Sequence, residues 1–236
     1  MKFFQHVLYL VTFLTGISVV TGCDDESDND QTALDGTTSA AIYEVTIRGQ
    51  WGNNFAPLPS RPLFSDVAGA VVNSESVLWQ PGQLASTGFE QLAEEGETAG
   101  FLNEINQEIT ANRASMSFLT ELLPATGAVT FRVNVSRAFP EISFASMLDP
   151  TPDWVIGVEC LSFLDENGLW MLSVNRELPV YDAGTEEGAD FSLDNPATNP
   201  VQPIALLNGT IGNGVVFVDG RVNGRAIATM SAKRIR

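Results

Sequence analysis

Residues 127–136 read Gly-Ala-Val-Thr-Phe-Arg-Val-Asn-Val-Ser, and this stretch decides the fold class. Its apolar residues Val129, Phe131, Val133 and Val135 alternate with polar ones, which predicts a strand with one buried face. Three further β-rich segments follow, separated by Pro, Asp and Asn-Gly turns: residues 142–148, 154–164 and 169–174. We therefore predict that the chain is β from residue 127 onward.

The segments on either side of this region complete the predicted architecture. Tyr43, Val45 and Ile47 alternate with polar residues and predict an opening strand, whereas residues 84–94 and 98–111 have helical spacing, with Gly96 as a stop between them. Near the C-terminus, four tight-turn dipeptides predict short hairpins before a last strand: Asn208-Gly209, Asn213-Gly214, Asp219-Gly220 and Asn223-Gly224. Together these signals predict one domain over residues 41–236, an antiparallel β-sandwich with a helical insertion after its first strand or two.

The N-terminal residues are predicted to be a targeting segment. Lys2 precedes an apolar run over residues 7–20, shorter than the roughly 20 apolar residues of a comfortable membrane span. The run ends in Val20-Thr21-Gly22-Cys23, which resembles a bacterial lipobox. We therefore expect a signal peptide over residues 1–22 and lipidation of Cys23, whose acyl chains would hold the protein on a membrane surface. An ordinary secretory signal with an incidental Cys23 is the alternative.

Residues 23–40 follow as a predicted acidic tether. Six carboxylates occur there among Ser, Thr, Asn and Gly: Asp24, Asp25, Glu26, Asp28, Asp30 and Asp35. Such a segment buries too little apolar surface to fold. The expected location is therefore the cell envelope, anchored by lipid and either periplasmic or surface-exposed.

Charge and residue usage exclude several classes of function. The formal charge of −17 excludes nucleic acid as a direct electrostatic partner. The single histidine, His6, lies in the predicted signal peptide, which excludes histidine-based triads and ordinary zinc sites in the mature chain. Cys160 lies in a stretch that is apolar on both faces, and it is predicted to be a buried, inert thiol.

Three carboxylates form the candidate site. Asp153 follows a Pro-rich turn, and Asp182 and Glu186 lie four residues apart in a Gly-bounded stretch, so all three are predicted on loops. Carboxylates on flexible loops are the oxygen ligands that Ca²⁺ prefers, although acid-rich loops are also often simply solvated. Four other acids fit a solvated helix face: Glu90, Glu94, Glu95 and Glu97.

Two motifs in this region resemble the signature corners of the spondin N-terminal domain family. These are Pro152-Asp153-Trp154-x-x-Gly157 and Pro179-x-Tyr181-Asp182-Ala183-Gly184-Thr185-Glu186-x-Gly188. A third match is Leu78-Trp79-x-Pro81-Gly82-x-x-Ala85-Ser86-x-Gly88. The resemblance implies a β-sandwich similar to calcium-dependent membrane-binding domains, with one calcium ion held by Asp153, Asp182 and Glu186. Glu186 stands where the animal members of the family have Asp.

The expected function is adhesion or the binding of a protein or glycan ligand at the calcium loops, without catalysis. Two alternatives remain open at this point. One is a hydrolase that acts on envelope glycans with a pair of carboxylates. The other is a passive structural lipoprotein whose calcium only stabilises the fold.

Overall fold

The computed structural model describes residues 34–212 and 214–236. The predicted signal peptide, Cys23 and the tether as far as residue 33 lie outside the described residues. The described chain forms one compact unit, Leu34–Arg236. The last residues of the predicted tether, which precede the predicted domain start at residue 41, contact the domain. Arg234 Nη2 donates a 2.5 Å hydrogen bond to the carbonyl of Asp35, and the Trp170 indole donates one of 2.8 Å to the carbonyl of Thr38.

The regular elements of the described chain are strands and two adjacent helices. In chain order they are β1 (Ala40–Gln50), β2 (Leu63–Val72), α1 (Thr87–Glu95), α2 (Ala99–Thr110), β3 (Ala114–Pro124), β4 (Thr126–Ser136), β5 (Glu141–Asp149), β6 (Trp154–Ser162), β7 (Ser173–Leu178), β8 (Val180–Asp182), β9 (Ala205–Leu206), β10 (Gly209–Thr210), β11 (Val216–Val218), β12 (Arg221–Val222) and β13 (Ala228–Arg234). A short 3₁₀ turn, Asn53–Phe55, lies between β1 and β2.

Two antiparallel sheets form the sandwich. One has the strand order β4-β1-β13-β7 and the other has the order β3-β2-β5-β6-β8-β9, while β10, β11 and β12 form a small third sheet. Tyr43, Val45 and Ile47 of β1 are fully buried. They form one apolar cluster with Phe64 of β2 and Trp154 of β6, two strands of the six-stranded sheet. Alternation along β1 thus places one face of the strand in the core between the sheets. The predicted antiparallel β-sandwich is confirmed.

The helices cover the outer face of the six-stranded sheet. Phe89 and Leu92 of α1 and Phe101 and Ile105 of α2 are fully buried in a second apolar cluster, which also contains Val155 of β6. The sheet is therefore buried on both faces, with the other sheet on one side and the helices on the other. This arrangement confirms the predicted helical insertion, which follows the second strand.

Ser86 links the start of α1 to the middle of α2. Its hydroxyl accepts a 3.2 Å hydrogen bond from the Phe89 N–H and so caps α1, and it donates one of 2.6 Å to Glu104 of α2. Gly96 ends α1 in the left-handed conformation, with φ 70°, as the predicted stop.

We expect Ser86→Ala to lower the free energy of unfolding by about 1 kcal/mol, because it removes the N-cap acceptor and leaves a helix N–H without its partner. Urea unfolding of residues 34–236 measures this difference. The neighbouring exposed Thr87→Ala is the control and should change stability by less than about 0.5 kcal/mol. Equal effects of the two substitutions would contradict the capping role.

Two long strands of the six-stranded sheet, β2 and β3, were not predicted. Strand β2 is buried along most of its length and lacks the alternation of apolar and polar residues that marks a half-buried strand. Strand β3 begins shortly after α2 and is exposed or half-buried except at Ala114 and Leu123. Both strands pair with their neighbours through irregular registers. Local periodicity therefore gave no clear signal for either strand.

The prediction of a buried Cys160 is wrong, because its side chain is exposed. Strand β8 pairs with β6 only from Trp154 to Ile156. Cys160 lies in the second half of β6, which is not paired with β8. The thiol donates a hydrogen bond of 2.6 Å to Glu141 Oε2. Partial burial, with this bond and the charges of Glu141 and Glu159, raises the pKa of Cys160 to about 12. The thiol therefore stays protonated, in agreement with the predicted lack of reactivity.

The part of the chain that the structure describes contains no helix long and apolar enough to cross a membrane.

Candidate functional site

Asp153 lies in the turn between β5 and β6, and the turn is fixed by Thr151. The Thr151 hydroxyl donates a 2.5 Å hydrogen bond to the carbonyl of Leu148 and accepts one of 3.2 Å from the Trp154 N–H. Trp154 then enters β6 with its side chain only 1 % exposed. The Pro-Asp-Trp sequence thus places Asp153 at a rigid corner, on a loop as predicted.

The carboxylate of Asp153 is fully buried, and its two oxygens differ in their partners. Oδ2 accepts three hydrogen bonds, from the Thr185 N–H at 2.7 Å, the Thr185 hydroxyl at 3.1 Å and the Glu186 N–H at 3.1 Å. Oδ1 is buried and has no hydrogen-bond partner among residues 34–212 and 214–236. A buried carboxylate oxygen without a partner is costly, so Oδ1 is the atom of this site that most needs a ligand.

Asp182 is the last residue of β8, where it is paired with Trp154 of β6 and Ala205 of β9. The prediction that Asp182 lies on a loop is therefore wrong, because the strand continues one residue past Tyr181 before the chain turns. Asp182 Oδ1 accepts a 2.8 Å hydrogen bond from the Gly184 N–H. Gly184 has φ 76°, and a Cβ there would lie 2.2 Å from the Gln202 carbonyl oxygen, so this turn requires glycine.

Burial and the charge of Asp153 both act on the carboxyl group of Asp182. Burial, together with the nearby charge of Asp153, raises the pKa of Asp182 from 3.8 to about 6, against the opposing Gly184 hydrogen bond. Burial also raises the pKa of Asp153, although the backbone N–H groups of Glu186 and Thr185 oppose this effect. The pair is therefore close enough to interact and is destabilised when both groups are ionised.

Glu186 lies on the loop that follows Asp182, as predicted, and forms an isolated bridge with Ala197. Asn195 Nδ2 donates a 3.4 Å hydrogen bond to Glu186 Oε2. The pKa of Glu186 is raised, first by burial and then by the charge of Glu94, with smaller effects from Asp153 and Glu95. The structure thus brings all three predicted carboxylates to one end of the sandwich.

Glu94 is a further member of this acidic end that the sequence did not reveal. It was predicted on a solvated helix face, but it is half-buried near the end of α1. Burial raises its pKa; the Thr185 hydroxyl lowers it, and the charges of Glu90, Asp153 and Glu95 raise it further. The only sign of this position in the sequence was that Glu94 directly follows Ala93, which lies on the buried face of α1. Nothing local indicated that α1 packs beside the Asp153 turn.

The aromatic residues of the signature corners are packing residues. Trp154 makes edge contacts with Phe191 and Phe217, with ring centroids 6.0 and 5.9 Å away. Tyr181 meets the ring of Trp79 edge-on at 5.1 Å. These contacts fix the two acidic corners against the core instead of exposing a contact surface.

The donor set at this end is suited to a hard cation in charge and in atom type. Within residues 34–212 and 214–236, no three His, Cys, Asp or Glu side chains converge closely enough to hold a metal ion by themselves. Calcium sites, however, also use backbone carbonyls and waters, with six to eight oxygens in flexible geometry. The partnerless Oδ1 of Asp153 and the crowded charge of Asp182 are the two features that a cation would relieve.

Sandwich, helical outer layer and acidic corners define a β-sandwich domain of the spondin type. The Spondin_N family model matches residues 41–214, which is most of the chain. The chain belongs to the spondin N-terminal domain family.

Curated relatives agree with this assignment. The chain is 32 % identical to Spondin-2 of Homo sapiens over 178 residues, a match that covers 72 % of this chain and 53 % of the relative. It is 31 % identical to Spondin-2 of Rattus norvegicus over 180 residues, with the same coverage. Spondin-1 of Gallus gallus is 29 % identical over 175 residues, covering 71 % of this chain and 22 % of the relative. The chain thus spans about half the length of the Spondin-2 relatives and less of Spondin-1.

Proposed function

We propose that this chain is a cell-envelope lipoprotein, anchored through Cys23, whose spondin-type domain binds calcium and uses its acidic end to bind a protein or glycan ligand. Asp153, Asp182 and Glu186 would hold the calcium ion. The observation that carries the proposal is the buried Oδ1 of Asp153, which has no hydrogen-bond partner in the described part of the chain although Oδ2 of the same carboxylate has three.

The charges at this end support a divalent cation. The charge of Asp153 raises the pKa values of Asp182, Glu186 and Glu94, and among the described residues no Lys or Arg is a cause of these shifts. A bound calcium ion would replace this repulsion with attraction and would rigidify the β5–β6 turn and the loop after β8. Because Glu186 is only partly buried, its side of the ion would remain accessible to a ligand carboxylate or hydroxyl.

Binding is favoured over hydrolysis by the position of Asp153. A pair of hydrolytic carboxylates must face each other across a cleft that admits the substrate. Asp153 is instead fully buried and held by three hydrogen bonds from the loop of Thr185 and Glu186. A fully buried carboxylate held in this way is out of reach of a sugar substrate, so Asp153 does not fit a hydrolytic pair.

Thermal unfolding of residues 34–236 with calcium and with EDTA tests the metal site. At a hundredfold excess of calcium over its dissociation constant, binding to the native state adds about 2.7 kcal/mol to stability, which raises the melting temperature by roughly 5–10 °C. Asp182→Ala should abolish the shift. Asp194→Asn, an exposed acid of the same loop, is the matched control and should preserve it. An unchanged melting temperature at millimolar calcium would overturn the calcium proposal.

The full burial of Asp153 favours a second candidate, in which calcium only holds the loops and no ligand reaches it. Screening the domain against protein and glycan arrays, once with calcium and once with EDTA, separates the two. Ligands captured only with calcium support a metal-dependent binding surface. Identical capture under both conditions, together with a calcium-dependent melting temperature, assigns the ion a structural role.

A further inference from the structure

A second candidate site lies in the six-stranded sheet, at the point where β2 and β5 lose their regular pairing. Phe64 pairs with Leu148 and Ala68 with Ala145, so three residues of β2 face two residues of β5 between these pairs. Such a bulge bends the strand and interrupts the ladder.

Side chains replace the missing ladder bonds in this bulge. The Ser65 hydroxyl accepts a 2.9 Å hydrogen bond from the Met147 N–H, and Ser146 Oγ donates one of 2.9 Å to the Ser65 carbonyl. The Thr120 hydroxyl accepts a 3.2 Å bond from the Val67 N–H on the side of β3. The bulge is therefore a fixed feature, and bulges of this kind are frequent beside functional sites.

A cavity of about 440 Å³ opens at the bulge. Part of its lining is apolar, with Met147 buried and the large side chains Leu122 and Leu193 respectively 46 % and 55 % exposed. Its size lies within the range of ligand pockets, roughly 300–1,000 Å³. Exposed leucines at a concave site provide apolar surface that a ligand can cover.

The charged residues that line the cavity are all acidic. Four carboxylates contribute to the lining, Asp66, Glu94, Glu95 and Asp149, and no Lys or Arg of the described chain does. None of these four carboxylates forms an ion pair within residues 34–212 and 214–236. Helix α1 ends at the same place, and the free carbonyl groups of a helix C-terminus add partial negative charge.

We propose that this cavity binds an arginine side chain presented by a basic segment of a partner protein. The guanidinium group is always charged, and its planar donors match carboxylates in a bidentate manner. The three-carbon stem of arginine is apolar and would pack against Leu122 and Leu193. The site needs no metal ion, and so it extends the proposed function with a partner contact that is independent of calcium.

Two fluorescent peptides of the sequence Gly-Leu-Xaa-Leu-Gly, with arginine or its uncharged analogue citrulline at the centre, test this site. Fluorescence anisotropy with the full chain in non-ionic detergent gives the two affinities. We expect the arginine peptide to bind at least tenfold more tightly. Asp66→Asn combined with Glu95→Gln should weaken its binding about tenfold, whereas Glu90→Gln combined with Glu166→Gln removes the same charge outside the cavity and should leave binding unchanged.

The same measurement separates this site from the calcium site. Binding of the arginine peptide should persist in EDTA and in Asp182→Asn, whether or not calcium binds at the loops. Equal affinity for the arginine and citrulline peptides would overturn the proposal, and this comparison needs no variant. An equal loss in the two double variants would also overturn it, because the attraction would then come from the overall charge of the chain.

Discussion

Replacing Asp182 with asparagine is expected to stabilise the calcium-free domain by about 3 kcal/mol at pH 8, because it removes a buried charge whose pKa is raised from 3.8 to about 6. Asparagine keeps an oxygen in place of Oδ1, which accepts a hydrogen bond from the Gly184 N–H. The same substitution should remove the stabilisation by calcium. Asp182→Asn is therefore expected to be the more stable protein in EDTA and to lose this advantage when calcium binds the wild type.

The sign of this effect depends on pH. A carboxyl group whose pKa is raised in the folded state binds its proton more tightly there than in the unfolded chain. The favourable contribution of Asp182 to the free energy of unfolding is fully present below pH 3.8 and is lost as the pH rises through about 6. The stability difference between Asp182→Asn and the wild type should therefore be small at pH 3.5 and reach its full size above pH 7.

Urea unfolding of residues 34–236 in EDTA at several pH values measures this difference. Asp194→Asn removes an exposed charge from the same loop and serves as the control, with an expected change within about 0.5 kcal/mol at every pH. A variant less stable than the wild type at pH 8 in EDTA would show that Asp182 is not strained by its surroundings.

Truncating Trp154 is expected to have the largest effect on stability. Trp154→Ala should lower the free energy of unfolding by about 3–5 kcal/mol, because a large buried aromatic side chain leaves a cavity. Trp154 is 1 % exposed and packs against Phe191 and Phe217. It follows Asp153 directly and pairs with Asp182 across β6 and β8. We therefore expect the variant to bind calcium more weakly as well.

Trp154→Phe is the matched control for this substitution. Phenylalanine keeps an aromatic ring and loses the indole N–H, which is buried without a hydrogen-bond partner. We expect a smaller loss of stability than in Trp154→Ala and unchanged calcium binding. Urea unfolding and calcium titration measure the two effects. A loss below about 1 kcal/mol in Trp154→Ala would contradict the role of this side chain in fixing the acidic corners.

The fold was predictable where burial is one-sided. Tyr43, Val45 and Ile47 face the core and alternate with outward residues, so their period of two was visible in the sequence. Strand β2 has a helical layer on one side and the second sheet on the other, and its residues are buried without alternation. Periodicity cannot distinguish such a strand from other apolar segments.

The candidate site was predictable where a motif fixes the backbone. The corners that carry Asp153 and Asp182 combine Pro, Gly and Thr residues that hold the turns, and family resemblance located them. Glu94 reaches the same end of the sandwich from a helix that is distant in sequence. Its place depends on how α1 packs against the sheet, which is a property of the tertiary structure and not of the residues around Glu94.

The cavity at the β2–β5 bulge was likewise not predictable from local sequence. Ser65 and Met147 meet across β2 and β5, while Leu122 comes from β3 and Leu193 from the loop after β8. No local pattern connects these four residues. The cavity became visible only when the sheet order placed β2 between β3 and β5.

Calorimetric titration of calcium into residues 34–236 at pH 7.5, with the wild type and with Asp153→Asn, tests the central claim most directly. The proposed site predicts one calcium ion per wild-type domain and no measurable binding to Asp153→Asn, because the neutral amide cannot supply the carboxylate that Asp153 would offer to the ion. Absence of binding to the wild type at millimolar calcium, or equal binding to both proteins, would contradict a calcium site at Asp153.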